Sequence, residues 1–418
     1  MSRPLRLAFF NRSYYPDFGA TGQLLTELCE DLVARHGHQV TVVAGVPLSS
    51  SVTVSSPRWY RPVREDWHNG VRILRAFGTT LDKRRFTGRA TNYLSYFGSA
   101  LLGAARLGGV DVVIALTDPP IIGLPAHAAA RMHGARFVFL CQDIFPEVAR
   151  LLEDFQSDRV EALLTRVGKY TVRHADAIVA LGDTMKRRLV ETKDADPSRI
   201  RVIHNWADCD AIVPASKDNP FARAHGLVDR FVVMHSGNVG LSQGIDRLLD
   251  VAERVRDLTD VVIAIVGDGA QKRALVEAAE ARSLTNVRFF PYQPKAALID
   301  SFATANAFVV SLKHGLSGFI VPSKLYGILA AGRPYIAAVE DDSEAADIAR
   351  GHDCGIVVPP GSVEGMEAAI RELHADPARA RAMGERAREA GLLFDRRRAV
   401  ASYENVFLEL MNGHRRTA

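Results

Sequence analysis

Short, wholly apolar runs separated by amphipathic stretches set the rhythm of this chain. Leu7–Phe10 is such a run, followed by a loop rich in Pro, Gly and Asp. Leu24, Leu25, Leu28, Leu32 and Val33 then recur at helical spacing, His36-Gly37-His38 ends that helix, and Gln39–Ala44 is a Val-rich strand. The same alternation continues. Val110–Leu116 stops at Thr117-Asp118-Pro119-Pro120, Ala135–Leu140 at Cys141-Gln142-Asp143, Ala177–Ala180 at Leu181-Gly182-Asp183, and Ile200–Ile203 at His204-Asn205. Continuous apolar strands alternating with helices predict a parallel sheet covered on both faces.

The pattern then restarts. Phe231–His235 reads as a strand, "SGNVGLSQG" as a loop and Ile245–Val255 as a helix. Val261–Val266, Val287–Phe290, Ala307–Val310, Tyr335–Ala338 and Gly355–Val358 follow as strands with helical segments between them. The stretch near 205–230, with Pro214, Ser216, Lys217, Asp218 and Pro220, has the composition of a linker. The expected fold is therefore α/β, with two doubly wound, Rossmann-like domains facing each other across a cleft. Ligands of such sheets bind at the carboxyl ends of the strands, so two sets of loops would share one ligand.

Composition narrows this picture without changing it. The chain has 418 residues and a formal net charge of +4. Its four cysteines, Cys29, Cys141, Cys209 and Cys354, are scattered, form no metal-ligating spacing and read as small buried hydrophobes. Met-Ser-Arg-Pro leads straight into a strand, and the uncharged run Asn92–Ala105 falls short of the roughly 20 residues a bilayer span needs. The expected location is cytoplasmic, with no metal and no cofactor. Charge is uneven: Arg58 to Arg89 holds nine Lys/Arg against three acids, a local excess larger than that of the whole chain. That argues against a nucleic-acid binder and for one local anionic partner.

Two stretches suggest chemistry. In "SGNVGLSQG" Gly237, Gly240 and Gly244 would let backbone N–H groups near Ser236–Asn238 approach an anion. The spacing is neither GxGxxG nor GxxxxGK[ST], and a tight turn without a ligand is the alternative. Gly19 and Gly22 stand at the equivalent place in the first half. In "HGLSGFIVPSKLYGILAAGRP", Gly318-Phe319 could form a second anion-accepting turn, Ser323 a helix cap, and Lys324 a first-turn cation. A cation there opposes the helix dipole and makes sense facing a phosphate; the alternative is an exposed lysine.

Taken together, "YYPDFGATGQLLTELCEDL", "ADAIVALGDTM", "VIHNWAD", "SGNVGLSQGIDRLL", "VGDGAQKRAL" and "PSKLYGILAAGRP" resemble the retaining, nucleotide-sugar-dependent glycosyltransferases of family 4, of GT-B fold. The resemblance spans nearly the whole chain. It is nearest the subgroup that builds bacterial O-antigen and capsule polysaccharides, including L-fucosamine (N-acetylfucosamine) transferases. It implies an acceptor-side domain over 1–205, a nucleotide-sugar domain over 206–393, and a segment, 394–418, that returns to the first domain. It also implies donor contacts at Ser236, Gly237, Asn238, Gln243, Gly267, Tyr292, Gly318, Phe319 and Ser323.

Two departures from the family stand out. Asn238 and Gln243 occupy positions where many relatives carry Arg and Lys on the pyrophosphate, and Phe319 and Gly327 replace two glutamates. The missing cation would be Lys324, reaching from across the cleft, and the ribose contact would fall to Glu344. Asp143 is expected as a positioning carboxylate rather than a base. Lys83, Arg84 and Arg85, followed by Tyr93 and Phe97 on one helical face, suit an anionic membrane surface and a polyprenyl-diphosphate-linked glycan acceptor. The function implied is transfer of a sugar from a UDP-sugar. A nucleotide-sugar 2-epimerase shares the architecture, and a non-catalytic sugar-nucleotide or glycan-binding subunit is the alternative outside catalysis.

Overall fold

A computed structural model describes residues 3–17, 19–47, 57–81, 86–152 and 157–415. The chain divides into two compact units, Met1–His204 with Ala399–Ala418, and Asn205–Arg398. The first sheet contains β1 (Arg6–Phe10), β2 (Gln39–Ala44), β3 (Val63–His68), β4 (Val71–Ala76), β5 (Val112–Ala115), β6 (Arg136–Leu140), β7 (Ala177–Ala180) and β8 (Ile200–Val202). Their order is β3-β4-β2-β1-β5-β6-β7-β8, parallel except for the antiparallel pair β3–β4. That hairpin escaped the periodicity reading, because its edge strand VREDWH is mostly polar and only one of its six residues is buried. Phe9 pairs with Val42 on one side and Ile114 on the other, so β1 lies at the centre with β2 and β5 beside it.

The second sheet contains β9 (Phe231–Ser236), β10 (Val261–Val266), β11 (Val287–Phe290), β12 (Ala307–Ser311), β13 (Tyr335–Ala338) and β14 (Gly355–Val358), all parallel, in the order β11-β10-β9-β12-β13-β14. The order reverses between β9 and β12, as it does between β1 and β5 in the first sheet. Such reversals open a crevice at the strands' carboxyl ends. Successive residues of these strands feed opposite cores, as a pleated strand requires. Val232, Met234, Ala264, Phe308 and Ala337 join one apolar cluster; Val233, Ile263, Ile265, Val309 and Ile336 join the other.

The expected linker near 205–230 is built into the second unit. Pro220–Ala224 is a short helix capped by Asn219, whose Oδ1 accepts from Ala222 N at 2.9 Å, and Phe221, Ala222 and Leu227 are buried in the core. Its Pro and polar residues serve a capped helix start rather than a free joint. The helix Arg396–Arg415 begins in the second unit and passes into the first at Ala399. There Val400, Tyr403 and Phe407 are fully buried, Phe407 meets Phe9 edge-on, and Glu404 pairs with His36 and His38.

Candidate functional site

In the second unit the loops after β9 and β10 interlock, backbone against backbone. A Cβ on Gly267 would lie 1.9 Å from the Gly237 carbonyl oxygen, and one on Gly269 would lie 2.4 Å from that of Val239. All three glycines have positive φ: 123° at Gly237, 138° at Gly267 and 157° at Gly269. Only glycine fits here. Gly237 N–H donates to Val266 O and Val239 N–H to Asp268 O, both at 2.9 Å. This corrects one expectation. The amide of Gly237 is spent on the fold, and the glycines supply clearance rather than donors. The helix that follows also starts later than expected. Leu241–Gln243 form one 3₁₀ turn, Gly244 takes φ 58°, and the helix runs Arg247–Arg254.

Into this clearance comes Lys324. Its Nζ donates to Gln243 Oε1 at 2.9 Å and lies 3.1 Å from His235 Nε2. A Cβ on Gly237 would lie 3.5 Å from the lysine Cε. Lys324 does not reach across a cleft: it belongs to the same unit as the loop and stands at the start of the helix Lys324–Ala330. Burial lowers its pKa from 10.5 to about 7. His235 is fully buried, and burial followed by the charge of Lys324 pushes its pKa well below 6.5. A neutral imidazole at this distance accepts from the ammonium through Nε2, which places its own proton on Nδ1. One cation is thus held by two neutral acceptors beside the exposed Asn238. Gln243 thus serves as the tether for a lysine from a distant part of the chain.

The 314–323 loop is held differently from the expectation. Phe319 N–H donates to Leu316 O at 3.0 Å, so it is engaged within the turn, and Gly318 takes φ 74°. Ser323 occupies the cap position, but its hydroxyl makes no capping bond. The loop is fixed by Glu340, just past β13, whose carboxylate accepts from Gly315 N and Ser317 N at 3.1 Å each and meets His314. Sequence reasoning missed both Glu340 and His235. The available signals were a polar residue inside an apolar strand and an acid directly after one. A side chain at Gly327 would start 3.0 Å from the Phe302 ring, so no carboxylate fits without moving Phe302. Glu344 lies in the first turn of the helix Glu344–Gly351 and is 5% exposed. Ser236 is buried, and Tyr292, in the loop after β11, is 47% exposed.

The equivalent reversal point of the first unit carries the opposite chemistry. Arg12 follows β1 and Asp118 follows β5. Arg12 N donates to Asp118 O at 2.7 Å, and the side chains form an ion pair at 3.2 Å. The Arg12 guanidinium sits 5.2 Å above the Tyr93 ring. Asp143, two residues past Cys141 at the end of β6, has its pKa raised to about 7 by burial and then by Asp118. It lines a small pocket with Thr117, Pro120, Ile144 and Lys193. Gly19 precedes the helix Ala20–Ala34, and Gly22 lies inside it, where a Cβ would meet Ser13 Oγ at 2.7 Å. Gly22 therefore lets the 11–17 loop pack down and does not form a loop matching the one at Gly237.

The proposed membrane helix runs Phe86–Ala104. Lys83, Arg84 and Arg85 lie outside the described residues. Tyr93 and Phe97 are half-buried, whereas Leu94, Leu101 and Leu102 face outward. The expected face was therefore turned by part of a helical revolution. Among the described residues no helix is long and apolar enough to cross a membrane, and no group of three His, Cys, Asp or Glu could hold a metal.

Comparison with known proteins converges on one family. Residues 19–206 match the model of the glycosyl transferase 4-like domain, and residues 218–390 match that of glycosyl transferases group 1. The putative colanic acid biosynthesis glycosyl transferase WcaI of Escherichia coli is 25% identical over 88% of this chain and 92% of its own. The probable glycosyltransferase WbjE of Pseudomonas aeruginosa is 29% identical over 66% and 69%. Among solved structures, Anabaena HepE in complex with UDP overlays with a TM-score of 0.72 at 13% identity, over 97% of this chain and all of that one. A sucrose-phosphate synthase from Thermosynechococcus elongatus gives 0.75 at 17%, over 98% and all of that chain. With one of these domains matched in each half, and with two Rossmann-like sheets that overlay on solved glycosyltransferase structures over nearly their whole length, the chain belongs to the group 1 and 4-like glycosyltransferases of GT-B fold.

Proposed function

We propose that the protein transfers a sugar from a UDP-sugar, with retention and without a metal, to a lipid-linked oligosaccharide in the synthesis of a cell-surface polysaccharide of the O-antigen type. The sugar is an N-acetylated hexose, and the acceptor is a polyprenyl-diphosphate-linked glycan at the inner face of the cytoplasmic membrane. One observation carries this reading: the buried ammonium of Lys324, held by Gln243 and His235 beneath the Gly237 loop at the reversal point of the second sheet. A diphosphate there meets a preorganised cation in a partly desolvated place, where support of the leaving group is strongest. Asn238 flanks the phosphates, Gly318–Phe319 bound their far side, and Gly267 and Tyr292 border the base. The ribose is assigned to the segment from Glu340 to Glu344. In the first unit Asp143, protonated for part of its time near neutrality, positions a hydroxyl of the acceptor. The developing diphosphate takes the acceptor's proton.

The names of WcaI and WbjE, and the UDP held by HepE, support the choice of donor class and pathway. The test is a thermal-shift panel of nucleotides and nucleotide sugars, followed by acceptor screening with the donor found. Saturation at one hundred times Kd stabilises by roughly 2.7 kcal/mol. A shift with UDP that vanishes in Lys324→Ala supports the site. No shift with any nucleotide would favour a non-catalytic glycan-binding subunit.

A further inference from the structure

One strand away from the diphosphate site stands a lysine that site does not use. Lys272 opens the helix Lys272–Ala281, which follows β10 directly after Gly267-Asp268-Gly269. Its Nζ donates to Gly267 O at 2.6 Å and to Phe290 O at 2.9 Å. These carbonyls lie at the carboxyl ends of β10 and β11, where Val266 pairs with Phe290. The side chain is half-buried, and among the described residues no carboxylate pairs with it. A cation in a first turn opposes the helix dipole, and this turn holds no acid to offset it.

Stapling the two strands does not account for this lysine. Gly267 N already donates to Phe290 O at 3.1 Å, so the backbone itself joins the strand ends. Lys272 brings a charged donor to a carbonyl that has one. An ammonium carries three N–H groups, and the two bonds above leave one without an acceptor among the described residues. Tyr292, two residues past β11, is exposed, yet burial of part of its ring and then the charge of Asp268 raise its phenol pKa. The segments leaving β10 and β11 therefore meet around Lys272. A flat aromatic ring and a fixed donor are what a planar heterocycle needs to be stacked and read.

We infer that Lys272 reads the donor's nucleobase and selects uracil over cytosine, its ammonium donating to the ring carbonyl that cytosine replaces with an amino group. The inference deepens the UDP-sugar reading and rests on it. Without the lysine, the Gly267 and Phe290 carbonyls would present an accepting edge, which suits an amino group. With it, the same edge donates, which suits a carbonyl and repels an amino group. A site built this way rejects the mismatched base because donor faces donor and neither group is satisfied.

The experiment is titration calorimetry of the purified full chain with UDP, CDP and inorganic pyrophosphate, repeated on Lys272→Met and Lys272→Gln. The parent should bind UDP at least about tenfold more tightly than CDP, the scale of one charged hydrogen bond made or lost. In Lys272→Met the ratio should fall to within about threefold, chiefly through weaker UDP binding. Lys272→Gln keeps a donor for the strand-end carbonyls but can turn either polarity toward a base, so it separates reading from stapling. It should lose the discrimination as well. Pyrophosphate carries no base, and equal affinity for it in all three proteins shows that the fold and the Lys324 site are intact. An unchanged ratio of UDP to CDP affinity in both variants overturns the inference, as does a parent that binds the two alike. Equal losses of UDP, CDP and pyrophosphate affinity also overturn it, because Lys272 would then only staple the strand ends. A parent that binds neither UDP nor pyrophosphate sinks the donor reading itself and this inference with it.

Discussion

The two sheets reverse their order at corresponding points and put different electrostatics there. In the second unit one ammonium, Lys324, is held by two neutral acceptors, His235 and Gln243. In the first unit one guanidinium, Arg12, is already committed to Asp118, and a second carboxyl, Asp143, stands nearby with a raised pKa. The second site keeps its positive charge for a ligand; the first has none to spare. On the function proposed above, the same topology gives one crevice for the donor's diphosphate and another for the acceptor's hydroxyls. The difference lies in whether the cation's partner carries a charge.

Removing the uncommitted cation is the most damaging way to break this comparison. Lys324→Ala should lower kcat by about 10² to 10³ with the fold retained, as loss of one preorganised electrostatic group typically does. It should also abolish stabilisation by UDP in the same preparation. A variant that turns over at the parental rate would remove the distinction between the two crevices.

Restoring the cation from another direction sharpens the comparison. Gln243 Oε1 lies 2.9 Å from Lys324 Nζ, so a lysine at 243 can place its own ammonium in the vacated spot. In the Lys324→Ala background, Gln243→Lys should recover a good part of the lost UDP affinity, on the order of tenfold, by titration calorimetry. No recovery would mean that the direction of the side chain, and not the charge alone, matters.

That swap also marks how far sequence could lead. The strands were legible because wholly apolar runs of four to six residues, such as Val112–Ala115 and Val261–Val266, leave a parallel buried sheet as the natural reading. The edge strand Val63–His68 was hidden by its own polarity. Lys324, Gln243 and Gly237 were each visible as candidates, but nothing in their spacing said that the first is tied to the second. A hydrogen bond between residues 81 positions apart is decided by how β9, β12 and the 314–323 loop stack. For the same reason the amide of Gly237 was misread: whether a loop N–H is free depends on the neighbouring strand end, here Val266.

The lysine's raised or lowered charge should also be readable through pH. Its pKa in the fold is about 7, against 10.5 when unperturbed. Between these values the unfolded chain binds more protons than the folded one, so this group makes stability rise with pH across that window. Relative to Lys324→Met, the parent should therefore gain stability from about pH 7 to pH 10. UDP affinity should move the other way, falling above pH 7, because the diphosphate needs the ammonium and must recruit its proton. His235 faces the lysine but stays neutral throughout, since its own pKa is pushed far down. Calorimetry in buffers of different ionisation enthalpy should register proton uptake on UDP binding near pH 8, and its absence would place the working charge elsewhere.

The smallest effect is expected in the first unit, and it tests whether the pairing there is what separates the two crevices. Asp118 is neutralised by Arg12 and also raises the pKa of Asp143. Arg12→Gln leaves the Asp118 carboxylate without its counter-charge, so its effect on Asp143 grows. The Asp143 pKa should climb further above about 7, by less than roughly one unit, because burial already supplies the larger part of the rise. The change should appear as a shift of the matching limb in the pH–rate profile and in the carboxyl carbon resonance of Asp143. Asp118→Asn should move both in the opposite direction, because it removes the repelling charge altogether. Opposite shifts from the two halves of one ion pair would show that Arg12 spends its charge inside the protein. If neither substitution moves Asp143, desolvation alone sets its pKa, and the Arg12–Asp118 pair has no electrical hold on that carboxyl.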